Sequence, residues 1–396
     1  MSILKKILSA TLAVSMCGGV YADNGLHATA ASSYIVGDVD DNGVVNIIDL
    51  AYIQQFLNGS VSANTRTAQR LDVNYDYIID VNDKNMISDL LLNGGSSTTR
   101  TYPSSMGGVP DQIAGGVSYC VYDVNENEFV EEDEYTLSPL SDISTASVDS
   151  MQTRGIIGSD DRVVENGLMG VLNIQDAYNN NVGTAFVVDS HTILTVAHAL
   201  YSKNNGVCFV PTGLQFKVFS DYNTPSDEYS ITPVSYHIPK YFMENAYRGM
   251  NNSSAINSDA CKYDYAIVTV REDLSDLINF NLGIARTGIP YGTSIYVTGF
   301  GGNCANINPE LADVKSTGYG NLISSGTDVH SPYRLRYQTD AVPGNSGSPA
   351  YVRGGNNYTI KTVVGINHVE SYDNTYNGCV KVTTDVLHFI FNNNNL

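Results

Sequence analysis

The sequence predicts a multidomain protein, a small helical unit built on two calcium-type loops followed by a larger all-β unit. Three observations carry this expectation. An acidic loop pattern occurs twice, beginning at Asp38 and again at Asp72, and each copy runs into an apolar helical pattern. From about residue 155 the chain reads instead as short alternating strands with turns between them and almost no helical period. The chain also opens on Lys5 and Lys6, an apolar run from Ile7 to Met16 and then small residues. That is the pattern of a secretory signal, and its apolar run is too short to span a membrane.

The chain of 396 residues is long enough for two or three domains with at least one sizeable core. Signal cleavage is expected after Ala22 or after Ala30, giving a leader of residues 1–22 or 1–30 and a secreted, extracellular product. No other apolar run reaches membrane length. Formal charge is −20, with 21 Lys and Arg against 41 Asp and Glu, which argues against nucleic acid and anionic membrane as partners. Beyond Cys17 there are five cysteines, Cys120, Cys208, Cys261, Cys304 and Cys379, and no CxxC pair. A zinc site is therefore not expected, and the disulfide pairing of an odd set cannot be read from sequence.

In the first loop, "DVDDNGVVNIID", oxygen ligands fall at Asp38, Asp40, Asn42, Asn46 and Asp49, with the carbonyl of Val44 and a turn glycine at Gly43. In the second, "DVNYDYIIDVND", they fall at Asp72, Asn74, Asp76, Asp80 and Asp83, with the carbonyl of Ile78, and Tyr77 replaces the turn glycine. Calcium requires six to eight hard oxygens, and this spacing wraps a loop into such a cage. Leu50, Ile53, Phe56 and Leu57 then give the first helical face, stopped at Gly59; Met86, Ile87, Leu90 and Leu91 give the second. Two structural calcium ions are expected. Each loop ends in Asp, not Glu, and a helix follows but does not precede it. Residues 35–93 thereby resemble a type I dockerin. The resemblance implies docking to a cohesin domain on a scaffold protein, in a cellulosome-like complex for extracellular polysaccharide degradation. It also implies that loop positions 10 and 11 contact the cohesin, here Ile47 and Ile48 in the first repeat and Val81 and Asn82 in the second. The two faces are not equivalent, and the first is the greasier.

Residues 94–112 are rich in Gly, Ser and Thr and read as a flexible linker. "DVNENEFVEEDE", residues 123–134, repeats the oxygen spacing but lacks a turn glycine and leads into "YTLSPL", not a helix. It is expected to be an acidic, solvated segment, so that 94–154 reads as linker and possible propeptide.

In the all-β unit, "VPGNSGSPA" sets Ser346 between Gly344 and Gly347, which let the backbone turn with its N–H groups facing outward. A nucleophilic serine needs a base within reach and a buried carboxylate to orient that base. His198 follows "TVA" and Asp264 precedes "YAIV", in the order His, Asp, Ser with separations of 66 and 82 residues. The order suits a site between two β-barrels and not an α/β hydrolase, whose order is Ser, Asp, His. The other histidines (27, 191, 237, 330, 368 and 388) lack the strand-end context of His198.

"TVAHA", "DYAIV" and "GNSGSP" resemble trypsin-fold serine endopeptidases, and "IIGSDDR" with "DAVPGNSGSP" resembles the bacterial glutamyl endopeptidase (V8-like) branch, over about residues 155–396. The resemblance implies a chymotrypsin-like double β-barrel of two six-stranded antiparallel barrels. It implies an oxyanion hole from Gly344 and Ser346, peptide or protein substrates, and no catalytic cofactor. In the specificity pocket the chain departs from that branch: Ala341 stands where Thr or Ser is common, and Asn367 where a histidine is usual, with His368 next. Asp340 has the spacing of the pocket-floor aspartate of trypsins, so acidic and basic P1 preferences both stay open, with a lean to acidic. Asn345 replaces the aspartate that pairs with the new amino terminus in animal trypsins, and a cut near Arg154 would free the protease from its dockerin. The rivals are a non-catalytic trypsin-fold binding module tethered by the dockerin, and an esterase or transpeptidase on the same scaffold.

Overall fold

The computed structural model describes residues 33–61, 63, 65–93, 99–101, 119–126, 128–133, 156–204, 207–209, 213–219, 229–245, 260–285, 292–301, 308–311, 314–324, 333–354, 359–370 and 375–392. The expected signal segment and Arg154 lie outside them.

Strand β1 (Ser33–Ile35) leads into the first loop, and Asn46 ends that loop as the cap of helix α1 (Ile47–Leu57). The cap is reciprocal: the Asn46 side chain accepts the Ile48 N–H, while Asp49 accepts the Asn46 N–H at 2.7 Å. Helix α2 (Thr65–Leu71), the short strand β2 (Ile78–Ile79) and helix α3 (Val81–Asn93) follow. Strand β3 (Thr99–Thr101) then returns to pair antiparallel with β1. Ile53 and Phe56 on α1 and Ile87 on α3 are fully buried, as the apolar spacing requires.

The next two strands overturn the linker reading for part of the segment before the protease unit. β4 (Tyr119–Asp123) and β5 (Glu128–Asp133) form an antiparallel hairpin, its turn tied by Asp123 accepting the N–H groups of Asn125 and Glu126. The acidic residues are thus turn and edge-strand residues. The sequence hid this because the buried ring of Tyr122 stacks on Tyr236, more than a hundred residues away.

The strands that follow are β6 (Val163–Val164), β7 (Val171–Gln175), β8 (Asn181–Asp189) and β9 (Thr192–Thr195). Helix α4 (Ala197–Leu200) leads to the pair β10 (Ser202–Asn204) and β11 (Val207–Phe209). Then come β12 (Gln215–Val218), β13 (Tyr229–Ile231), β14 (Pro233–Pro239), helix α5 (Lys240–Asn245) and β15 (Ala266–Val270). With the hairpin they make a nine-stranded sheet in the order β13-β12-β7-β8-β9-β15-β14-β4-β5.

The second half comprises β16 (Asn281–Leu282), β17 (Ile284–Ala285), β18 (Ser294–Phe300) and β19 (Lys315–Ser324). It continues with β20 (Arg334–Tyr337), β21 (Pro349–Gly354), β22 (Ile360–Glu370), β23 (Asn377–Lys381) and helix α6 (Thr384–Asn392). Here the order is β16-β22-β21-β18-β19-β20-β23, and β23 also pairs with β22, so six strands close into a barrel. Of the two six-stranded barrels expected, one closes in this way. The first sheet runs to nine strands with no closing pair among the described residues.

Candidate functional site

The register of two strands brings the first two candidate residues together. β9 pairs with β15 so that Thr195 faces Ala266, and the chain leaving β9 turns into α4 while the chain entering β15 comes from a single 3-10 turn. His198 on α4 and Asp264 before β15 therefore meet at one end of the sheet. The Asp264 carboxylate is fully buried and accepts three N–H groups. His198 supplies its backbone N–H to Oδ1 at 2.8 Å and Nδ1–H to Oδ2 at 2.6 Å; His368 supplies its Nδ1–H to the same Oδ2 at 2.5 Å. Burial alone would push this carboxyl up, but the two imidazoles and their hydrogen bonds hold it well below the usual carboxylate range. With Nδ1–H committed to Asp264, Nε2 is left as the basic atom of His198.

His368 is a difference from the pocket role expected of it. Its side chain is fully buried on β22, from the second half of the molecule, and burial lowers its pKa to about 4 against the pull of Asp264. It is thus neutral, and its Nε2 has no hydrogen-bond partner among the described residues. Oδ2 thus lies at hydrogen-bond distance from both ring nitrogens, 2.6 Å from His198 and 2.5 Å from His368.

Ser346 sits half-buried in the turn between β20 and β21. Gly344 and Gly347 both take left-handed φ, +97° and +88°. The turn is braced from within: Asn345 accepts the Val342 N–H on its side chain and the Ser348 N–H on its carbonyl. It is braced from without by Thr184 on β8, whose N–H donates to Ser346 O at 2.7 Å and whose hydroxyl donates to Gly344 O at 2.8 Å. With their carbonyls so engaged, the N–H groups of Gly344 and Ser346 meet no acceptor among the described residues. Thr184 was not found from sequence; nothing in "VGTAF" marks a threonine that reaches the other half of the molecule.

The other pocket candidates turn inward. Asn367 accepts the Tyr337 hydroxyl at 2.7 Å and donates to Asn345 O at 2.9 Å. Ala341 is buried. Asp340 is also buried, and it accepts the N–H groups of Ile157 and Asp161 at 2.7 and 3.1 Å. Burial, with Asp161 adding its charge, pushes its pKa up to about 6 against those two donors. Its carboxylate serves the segment that enters the second half.

The two acidic loops share one wiring. Asp49 takes N–H groups from Val39 and Asn46, and Asp83 takes them from Val73 and Asp80, ten and three residues back in each case. Asp38 accepts from Asn42 and Gly43; Asn42 accepts from Val44, and Asp76 from Ile78. Tyr77, standing for the turn glycine, takes φ +69° and donates to Asp72. Carboxylate oxygens of Asp38, Asp40 and Asp49 lie within 4.8 Å of one another. Asp83 is pushed well above the usual range by burial and by the charge of Asp72, with Asp80 and Asp76 adding. Oxygens crowded in this way fit a hard dication, which removes the repulsion. Of the cohesin-contact candidates, Ile47 and Ile48 are 68% and 50% exposed, while Val81 and Asn82 are half-buried.

A trypsin-like peptidase domain model matches residues 183–366, and a dockerin type I domain model matches residues 36–92. An extracellular metalloprotease of Bacillus subtilis (strain 168) is 26% identical over 261 residues, covering 62% of this chain and 71% of that protein. A solved structure of a Glu endopeptidase in complex with MPD aligns with 18% identity and a TM-score of 0.44, over 59% of this chain and 97% of that one.

The turn that carries Ser346 has no room for a side chain at Gly347. A Cβ there would stand 2.0 Å from Thr184 O and 2.3 Å from Thr195 Oγ1, at a φ that non-glycine residues avoid. Gly347→Ala should therefore cost about 3 kcal/mol of stability in urea unfolding. Wild-type stability in that variant would contradict the described packing.

Proposed function

We propose that this chain, which joins a type I dockerin domain to a trypsin-like peptidase domain, is a serine endopeptidase that works through Ser346, His198 and Asp264 and is carried outside the cell on a cohesin-bearing scaffold, in a cellulosome-like complex. The observation that carries the catalytic reading is the buried His198–Asp264 pair, Nδ1 to Oδ2 at 2.6 Å, on the sheet whose Thr184 grips the Ser346 turn. His198 Nε2 takes the proton as Ser346 Oγ attacks the scissile carbonyl. The N–H groups of Gly344 and Ser346 receive the oxyanion, each worth a factor of about 10²–10³ in rate. The same proton then passes to the leaving amine, and a water activated by His198 releases the acyl group. Asp264 holds the imidazole in the Nδ1–H tautomer and stabilises its cation while the proton is on loan. Asp340 and Asn367, engaged internally, leave the charge preference at P1 to other residues.

The dockerin reading rests on the shared wiring of the two loops and the exposed Ile47 and Ile48. Asp38, Asp40, Asn42, Asn46, Asp49 and the Val44 carbonyl would hold one calcium ion. Asp72, Asn74, Asp76, Asp80, Asp83 and the Ile78 carbonyl would hold a second. The ions supply positive charge to the two carboxylate clusters and no chemistry to the peptide bond.

Ser346→Ala should abolish labelling by a fluorophosphonate and lower peptide hydrolysis by a factor of about 10⁴ or more, with the thermal unfolding transition retained. Stoichiometric labelling of that variant would remove Ser346 from the nucleophile role. Calorimetric titration should find two calcium ions per chain, and chelation should end cohesin binding while Ser346 still labels. Equal cohesin affinity in calcium and in EDTA would overturn the dockerin reading.

His368 is a positioning residue for Asp264 in this reading, and its neutrality sets a pH signature. The unfolded chain takes up a proton near pH 6.5, whereas the folded chain resists it until about 4, so stability falls as pH drops through that window. His368→Ser keeps a hydroxyl donor toward Asp264 and removes the titrating ring. Its stability should fall less steeply between pH 6.5 and 4 than wild type. It should also keep more kcat than His368→Ala. Unchanged slope and equal kcat in the two variants would deny the contact any such part.

A further inference from the structure

The two calcium loops are alike in hydrogen bonding and unlike in surroundings. In the first, Val44 at position 7 is 61% exposed. In the second, the equivalent Ile78 is 1% exposed and packs in the core of the closed barrel with Ile295, Val297, Leu335 and Val364. The backbone is joined as well: β2 pairs antiparallel with β17, Ile79 opposite Ile284 and Ile78 opposite Ala285. One residue before β17, Gly283 donates to Val363 O on β22. A Cβ on Gly283 would meet Thr362, Ile78 and Asp80 at 2.4, 3.0 and 3.2 Å, so three segments cross there without space for a methyl group. At that crossing the Thr362 hydroxyl donates to Asp80 Oδ2 at 2.5 Å. A second contact lies at the other end of the unit, where Gly59 abuts the backbone of Leu387 and His388 on α6.

We propose that the second calcium loop is an intramolecular latch: its docking partner is the closed barrel of the chain's own peptidase domain, calcium holds the latch shut, and only the face of the first repeat, Val44, Ile47 and Ile48, is left for the scaffold. The proposal rests on the reading of Asp72–Asp83 as a calcium loop. Position 9 of that loop is Asp80, the carboxylate that receives Thr362, and position 7 is Ile78, whose side chain plugs the barrel. The conformation that gathers the oxygens is therefore the one that presents β2 to β17. Without the ion, repulsion among Asp72, Asp76, Asp80 and Asp83 opens the loop and withdraws that strand; linkage then requires that the docked barrel raises the calcium affinity of this loop in turn. The apolar plug and strand pair supply the adhesion, and the ion decides whether they are presented. A cut in the chain between the two domains then does not release the peptidase while calcium is present.

The test is made on the full chain with a site-specific protease sequence inserted between Ser104 and Ser105. After cutting, the two fragments should co-elute on size exclusion in calcium and separate in EGTA. In the cut chain carrying Thr362→Val, loss of the hydrogen bond to a charged acceptor should weaken fragment association in calcium about tenfold. Separation of the wild-type fragments in calcium would overturn the latch. Co-elution in EGTA as in calcium would overturn the ion's part in it. Fluorophosphonate labelling of the eluted peptidase fragment, and two calcium ions per uncut chain by calorimetry, report on the catalytic and metal readings separately.

Discussion

The Asp264 carboxylate is the constraint on which the site depends. It is a buried charge shared by the two halves of the molecule, with His198 bound from the first sheet and His368 from the closed barrel. An ionised carboxyl in such a place is tolerated only while its donors stay in position. Loss of one partner from a buried pair of this kind costs about 3–5 kcal/mol. The two halves are therefore fixed against each other beside the His198–Asp264 pair. Thr184 makes the reciprocal connection, gripping the Ser346 turn from the first sheet. The Ser346 turn is anchored by the half of the protein to which it does not belong, and the carboxylate that holds His198 is tied to that other half through His368.

Much of this was legible in the sequence, and the limit has a physical cause. His198, Asp264 and Ser346 could be proposed because each sits in a short string of small or β-branched residues that strand ends and tight turns demand. The two acidic loops could be picked out because the spacing of their oxygens is local and repeats. His368, Thr184 and the Thr362–Asp80 contact could not, since each partner is set by tertiary register. A slip of one residue along β22 would send His368 to the other face of its strand. "GINHV" holds the histidine without saying which of its neighbours faces inward.

The calcium repeat shows the same limit from the other side. Its two loops follow one ligand spacing, and the closing aspartates Asp49 and Asp83 take the same pair of backbone donors. They differ most in what the surrounding chain does to them: one apolar face is left in solvent, the other becomes part of a barrel core.

The hairpin β4–β5 bears on where the peptidase begins. Family likeness starts at residue 183, and the motifs start at about 155, yet β4 lies along most of β14, Ser235 to Pro239 against Asp123 to Tyr119, and Tyr119 packs edge-on against Phe389 of the terminal helix. A chain shortened to begin at residue 156 would bare the hydrogen-bonding edge of β14 and strip the Tyr119 ring from Phe389. Exposed edges of this kind invite pairing with another chain. In physical terms the smallest piece that could be moved to another scaffold, or expressed alone without sticking to itself, starts no later than Tyr119, well upstream of where resemblance would place the cut.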